Sequence, residues 1–381
     1  MTSEARDNSL LALVRTLYVN GQATAQMLDA GERLGQALGL KVTLIVRWGE
    51  LQLRSEDNGT IRAYQLPADP TGVEMARVAA AMREVDDLEA GTLTPHAAVE
   101  AIEKISRDPP APTWLFALAA AAGAVALAVI FGVSHFAAAA LIFITAGVGA
   151  ILRRRLARLS ANPFVQPFCA ALLAGFIGGI AVRYDLSSSL RLVAVCPCMI
   201  LIPGPHILNG ALDLVTGRIN LGAARLLYAG VIIAAISMGL LIGLALLGVS
   251  LPVEEPGRVV PLWQDVIAAG VAVAAYSIFF STPTAMLPWP IAIGMLAHAL
   301  HWATLATLGF GAVTAALAAC VVVGLILAPV ACAGRPRHAA GSWDGGLSSR
   351  LSRTARPLQR RAADETPAVA RGPLIPLPLR R

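Results

Sequence analysis

The chain has 381 residues, of which 56% are hydrophobic and only 14% charged, an apolar share above the roughly 45–50% of ordinary globular domains. Its formal charge is +6, yet only two of the 30 basic residues are lysines, Lys41 and Lys104. Arginine gathered beside apolar spans marks loops retained in the cytoplasm, whereas nucleic acid would call for a basic face on a soluble domain, so no nucleic-acid partner is expected.

Residues 8–18 repeat apolar side chains at helical spacing (Leu10, Leu13, Val14, Leu17), and Gly21 separates them from a second helix over 24–38, which Gly39 stops. Val42, Leu44 and Val46 alternate with polar neighbours. Turns at Trp48-Gly49-Glu50 and Asn58-Gly59 then lead into Leu51-Gln52-Leu53 and into residues 61–66, a small antiparallel meander. Helices are predicted over 71–88 and 94–105, the second with Thr94 as N-cap and Pro95 at the first helical position. Residues 1–112, ending in the stiff linker Asp108-Pro-Pro-Ala-Pro112, thus read as a cytosolic α+β domain. No short apolar core of a signal peptide precedes it, and no cleavage is expected.

No charged residue occurs from Thr113 to Leu152 or from Val266 to Gly334, spans too long for a soluble core element. About eight transmembrane helices are predicted, near 113–131, 135–152, 165–183, 189–208, 224–248, 264–281, 289–306 and 308–328. The fold class is therefore a polytopic α-helical membrane protein with a small cytosolic α+β amino-terminal domain. About five helices form a first membrane unit over 113–250, and about three form a second, incomplete unit over 251–334. Arg153, Arg154, Arg155, Arg158, Arg218, Arg225, Arg335 and Arg337 fall on the side of the amino-terminal domain, while Asp185, Glu254 and Glu255 occupy the opposite loops. That distribution puts both ends in the cytoplasm. Residues 335–381, rich in arginine and proline without periodicity, read as a disordered tail.

Enzymatic chemistry finds no support. Neither lysine follows a glycine, so no Gly-Lys-Ser/Thr phosphate loop exists, and the membrane region holds no H-E-x-x-H zinc pair and no G-x-S-x-G elbow. Cys196-Pro197-Cys198 offers soft metal ligands around a kink, but two buried apolar cysteines beside a proline are the plainer reading. No metal, no cofactor and no disulfide framework is expected.

The fourth predicted span breaks at Pro203-Gly204-Pro205. In lipid, such a break survives only where protein or a water-filled cavity satisfies the freed backbone groups. If Pro205 opens a new helix, His206, Asn209 and Asp213 fall at i, i+3 and i+7 on one face, with Gly217 as the stop. Asp213 is the only acidic residue between Leu186 and Val253. Intramembrane carboxylates mark ion or proton paths, which makes Asp213 the candidate carrier of a coupling proton. Free N–H groups around Pro203, Gly204 and His206 offer a site for a substrate carboxylate, and Arg225 on the next helix is a partner for that carboxylate or for Asp213. The competing reading places the same residues in a solvated turn outside the membrane. His298 and His301, three residues apart beside Trp302, are secondary candidates, set against the common use of histidine as an interfacial anchor.

The run PGPHILNGALDLVTGRINLGAAR, carrying Pro203-Gly204-Pro205, Asn209, Asp213, Gly217, Gly222 and Arg225, resembles the threonine/serine exporter family of bacterial inner-membrane proteins. Asn20-Gly21 and the helix ending ALGL at Leu40 are similar to that family's soluble amino domain, and PTAMLPWPIAIGMLAHALHW to its second membrane unit. The resemblance implies a secondary transporter that exports threonine, serine or similar small amino acids by proton-coupled antiport across the inner membrane. Its implied partners are that small-molecule substrate and the lipid bilayer. Relatives split into two subunits imply the alternatives: a dicarboxylate exporter of succinate-like substrates that needs a second membrane subunit or a further copy, or an inactive truncated scaffold. The family's second unit continues past a third helix, whereas this chain passes at Gly334 into the arginine-rich tail, so a truncated second unit or a partner supplying further spans is expected.

Overall fold

The structure, a computed structural model, describes residues 2–57, 59–133, 135–184, 190–250 and 260–333. The predicted tail over 335–381, the loop acids Asp185, Glu254 and Glu255, and the turn residue Asn58 lie outside the described residues. Residues through Ala319 pack as one unit, and the chain from Cys320 is described by itself, as the second half of the last helix.

The amino-terminal region opens with α1 (Ser3–Val19) and α2 (Thr24–Ala37). Gly21, at φ 93°, makes the turn between them, and Gly39, at φ 72°, ends α2, both in the left-handed region that glycine enters without penalty. β1 (Lys41–Arg47), β2 (Gly49–Asp57) and β3 (Thr60–Ala68) follow as an antiparallel meander in the order β1-β2-β3, with Leu53 of the central strand opposite Leu44 and Tyr64. Strand period two puts Leu51 and Leu53 on the face that α1 and α2 cover. α4 (Pro95–Arg107) starts as expected, with the Thr94 side chain accepting from the Ala97 N–H.

α3 (Met75–Glu89) begins four residues later than the predicted 71. The Glu74 N–H is used by the Asn20 carbonyl at 3.1 Å and the Met75 N–H by the Phe280 carbonyl at 2.9 Å. Residues 71–74 therefore form a loop tied to other elements instead of a first helical turn.

The apolar part consists of α5 (Thr113–Ile130), α6 (Phe136–Leu159), α7 (Val165–Arg183), α8 (Leu190–Met199), α9 (Gly204–Val215), α10 (Ile219–Ala245), α11 (Leu262–Phe279), a short 3-10 turn over Thr284–Met286, α12 (Pro288–Leu308) and α13 (Ala312–Ala333). Six helices are long and apolar enough to cross a membrane. They become seven when α8 and α9, bent by 57° at their break, count as one span. α13 is apolar over Ala312–Ile326, too short among the described residues to join that count. Few large side chains separate the helices. α7 and α10 meet through glycines: a Cβ on Gly239 or Gly243 would stand 2.3 Å from the Phe168 or Leu172 carbonyl oxygen. This is the small-xxx-small packing that membrane helices use in place of a hydrophobic drive. The amino-terminal core runs directly onto this bundle, since Leu221 of α10 is buried in the same cluster as Leu10, Leu17 and Met27.

Candidate functional site

At Pro197 and again at Pro203 the chain lacks a backbone donor, and residues 200–203 leave the helical path. α9 restarts at Gly204. Its first donors are engaged locally: the Gly204 N–H bonds to the Ile202 carbonyl at 2.8 Å, and the N–H groups of His206 and Ile207 to the Pro203 carbonyl at 3.1 and 3.2 Å. Pro205 has none to give, so the free N–H cradle expected at this helix start is filled. The other end of α9 closes as a Schellman motif, with Arg218 N–H on the Asp213 carbonyl (2.8 Å), Gly217 N–H on the Leu214 carbonyl (3.0 Å), and Gly217 at φ 81°.

The turn folds α10 back along α9, and glycine sets how close they come. A Cβ at Gly222 would lie 2.7 Å from the Gly210 carbonyl oxygen. Gly210 and Gly222 each precede a charged residue by three positions, so this approach brings Asp213 and Arg225 together. Arg225, expected beside the turn, sits in the second turn of α10 because that helix begins at Ile219.

Asp213 is 2% exposed and Arg225 1% exposed. Arg225 Nε lies 3.3 Å from Asp213 Oδ2, outside hydrogen-bond alignment, so the contact is ionic. Arg218 Nη1 is 3.7 Å from Asp213 Oδ1. The amino-terminal region completes the set: Thr24 Oγ1 donates to Asp213 Oδ2 at 3.0 Å and accepts from Arg225 Nη2 at 3.3 Å. The Arg225 guanidinium stands over the Tyr18 ring, 5.6 Å from its centroid. Burial pushes the Tyr18 hydroxyl well above its ordinary range, against the pull of the Arg225 charge, and the hydroxyl donates to the Arg47 carbonyl at 2.9 Å. Asn209 Nδ2 donates to the Gly21 carbonyl at 3.0 Å. The polar face of α9 is thus covered by the start of α2 and the turn before it.

His206, buried, sits edge-on to Tyr228 with ring centroids 5.2 Å apart. It borders a cavity of about 310 Å³ that also touches Pro203, Glu74, Arg153, Gln166 and Phe279. Of the predicted residues, Pro203 and His206 face this cavity, Asp213 and Arg225 pair away from its wall, Asn209 binds the Gly21 carbonyl, and Gly204 has nothing within 4 Å of where a Cβ would point. His298 and His301 lie on α12, with ring centroids 6.1 Å apart. The partner of His298 is Asp265 of α11, which is buried and places Oδ2 3.3 Å from His298 Nδ1. Asp265 lies about 21 Å of helix from Phe279, so this pair and the cavity occupy opposite ends of α11. Among the described residues no three metal-ligating side chains converge. Cys196 and Cys198 are buried in apolar clusters, the Cys198 thiol donating to the Ala194 carbonyl at 3.5 Å.

Among the partners in these sites not anticipated from the sequence are Thr24, Tyr18, Tyr228, Arg153 and Asp265. Only Asp265 carried a signal, as a lone acid at the edge of a charge-free stretch.

Six or seven apolar spans, one of them broken at Pro-Gly-Pro and carrying a buried ion pair near the far end of its second half, define a polytopic α-helical membrane protein with a discontinuous span. Residues 9–247 match the family described as "Putative threonine/serine exporter", and the chain belongs to that family. No curated protein and no solved structure matches it.

Proposed function

We propose that the chain is a secondary transporter that exports threonine, serine or similar small amino acids across the bacterial inner membrane in exchange for protons. The observation that carries this reading is the Asp213–Arg225–Thr24 cluster, buried on the second half of the broken span, whose first turn borders a cavity through Pro203 and His206. Buried charge in an apolar bundle is costly and marks an ion path. Protonation of Asp213 removes the charge that holds both Arg225 and Thr24, which frees the amino-terminal segment from α9 and opens the cavity to the side where that segment docks. The positive-inside rule supports that side being the cytoplasm, because Arg153, Arg154, Arg155, Arg158 and Arg218 lie there with the amino-terminal domain. In this scheme residues 1–112 are the cytoplasmic closing domain, 113–250 carry the break, 251–334 contribute the Asp265–His298 pair, and the carboxyl-terminal tail is cytoplasmic. The chain has no enzymatic step in this reading.

A dicarboxylate exporter is the second reading, because an unpaired arginine in the cavity receives any carboxylate. Inverted membrane vesicles carrying the chain, energised by an imposed pH gradient, separate the two. Uptake of labelled threonine is the expected result; uptake of succinate alone transfers the assignment to the second reading, and uptake of neither refutes both.

A further inference from the structure

The arginines that follow the second span do different things. Arg154 donates to the Ala111 carbonyl at 2.5 Å and to Thr113 Oγ1 at 3.3 Å, and stacks on Phe116 with 4.2 Å to the ring centroid. Arg155 and Arg158 are exposed. Arg153 instead turns into the cavity, half-buried over the Phe279 ring at 5.3 Å, and makes no hydrogen bond or ion pair among the described residues. A guanidinium holds five donors in a planar fork matched to a carboxylate, and it keeps its charge under all ordinary conditions. With the helix-start donors of α9 already engaged, Arg153 is the group in this cavity equipped to bind an anion.

The opposing wall comes from the amino-terminal region. The loop over 71–74 borders the cavity, and its last residue, Glu74, is fixed by backbone bonds from Glu74 and Met75 to Asn20 and Phe280. Glu74 lies in the field of Arg154 but forms no ion pair within 4 Å among the described residues. Among the described residues the cavity therefore carries an unpaired cation from the membrane bundle and an unpaired anion from the amino-terminal domain, with Gln166 and His206 as hydrogen-bonding groups and Phe279, Phe280 and Ile232 as apolar surface.

We propose that this cavity binds a small zwitterion, its α-carboxylate on Arg153 and its α-ammonium facing Glu74, so that the amino-terminal domain supplies half of the binding site. The assignment rests on the amino-acid exporter reading and adds the site and its selectivity to it. Glu74 is what decides between substrates: it attracts an ammonium group and repels the second carboxylate of a dicarboxylate. A volume of about 310 Å³ lies at the small end of the roughly 300–1,000 Å³ typical of ligand pockets, which suits one amino acid and excludes a peptide.

The test is equilibrium binding to the purified full chain in nanodiscs, with L-threonine, threoninamide (no carboxylate), N-acetylthreonine (no ammonium) and succinate. The parent is expected to bind threonine about tenfold to a hundredfold more tightly than either blocked analogue, the range of a lost charge-assisted contact. Arg153→Gln should lose threonine to the same degree while binding threoninamide as the parent does. Glu74→Gln should lose threonine, bind N-acetylthreonine as the parent does, and gain affinity for succinate. Retained analogue binding also shows that each variant is folded. Independently of both variants, threonine should slow thiol labelling of Gln166→Cys relative to the labelling of the parent's own cysteines. Threonine binding that is indifferent to both charge substitutions, or a Gln166→Cys thiol that threonine fails to protect, overturns the site and leaves the exporter reading standing. A parent that binds no amino acid overturns the two together.

Discussion

Thr24 Oγ1 donates a 3.0 Å hydrogen bond to Asp213 Oδ2 across 189 positions of sequence. With the Asn209 bond to the Gly21 carbonyl, it fastens the amino-terminal domain to the broken span. Thr24→Val removes two hydrogen bonds, the one donated to Asp213 and the one accepted from Arg225, and should cost about 1–3 kcal/mol. Asp213→Asn leaves Arg225 buried without its counter-charge and should cost about 3–5 kcal/mol. Because both substitutions act on one cluster, the double variant should lose less than the sum, by more than about 0.5 kcal/mol. Denaturant unfolding of the four proteins in detergent measures this, and strict additivity would show that Thr24 and Asp213 act separately.

Packing between α7 and α10 yields a contrast within a single helix. Gly243→Ala brings a Cβ to 2.3 Å from the Leu172 carbonyl and 2.7 Å from the Phe176 nitrogen, so the helices must part, at about 1–3 kcal/mol. At Gly230 nothing lies within 4 Å. Alanine there should be neutral or stabilise the helix by up to about 1 kcal/mol. Comparing the thermal midpoints of Gly243→Ala and Gly230→Ala settles whether close approach or helix propensity controls this interface.

Acid should loosen the amino-terminal region at an identifiable carboxyl. Ser3 donates a 2.6 Å hydrogen bond to Asp57, and the charges of Arg6 and Arg62 add to it; together they hold the Asp57 carboxyl below its ordinary range against the opposing effect of partial burial. A depressed carboxyl contributes stability that is fully present above its unfolded value of about 3.9 and is lost as pH falls through the folded value. Ser3→Ala raises the folded value and shrinks that contribution. The variant should therefore melt below the parent at neutral pH, and the gap should close as pH falls below about 4. A gap that widens in acid would contradict the assignment.

The Asp265–His298 pair predicts a separate phenotype. It lies at the end of α11 remote from the cavity, so Asp265→Asn and His298→Gln should each slow threonine transport severalfold and leave threonine affinity unchanged. As partners in one 3.3 Å contact, the two changes together should be no worse than one alone. Vesicle transport and equilibrium binding on the same preparations test this.

Much of the architecture was legible because its causes are local. Alternation in 42–46 with turns at Trp48-Gly49 yields the meander, Thr94 with Pro95 marks the start of α4, and Pro203-Gly204-Pro205 marks the break. The i, i+3, i+7 spacing correctly placed His206, Asn209 and Asp213 on one buried face. Long-range relations left no such trace. Nothing near Thr24 announces an aspartate 189 residues away, and Arg153 reads as a flanking charge until the direction of its side chain is seen. α3 starts later than its sequence pattern because the Glu74 and Met75 donors serve Asn20 and Phe280, a tertiary use that overrides the helical pattern. Gly239 and Gly243, four residues apart in an apolar run, do carry a readable packing signal.

The buried cluster on the broken span is proposed to couple protons to export, and proton-driven uptake of labelled threonine into inverted vesicles tests this most directly. Asp213→Asn, which mimics the protonated state, should still pass threonine down its own concentration gradient. The parent should accumulate threonine when a pH gradient is imposed, while Asp213→Asn should only equilibrate it, with no response to the gradient. Gradient-driven accumulation by Asp213→Asn at the parental level would contradict the account.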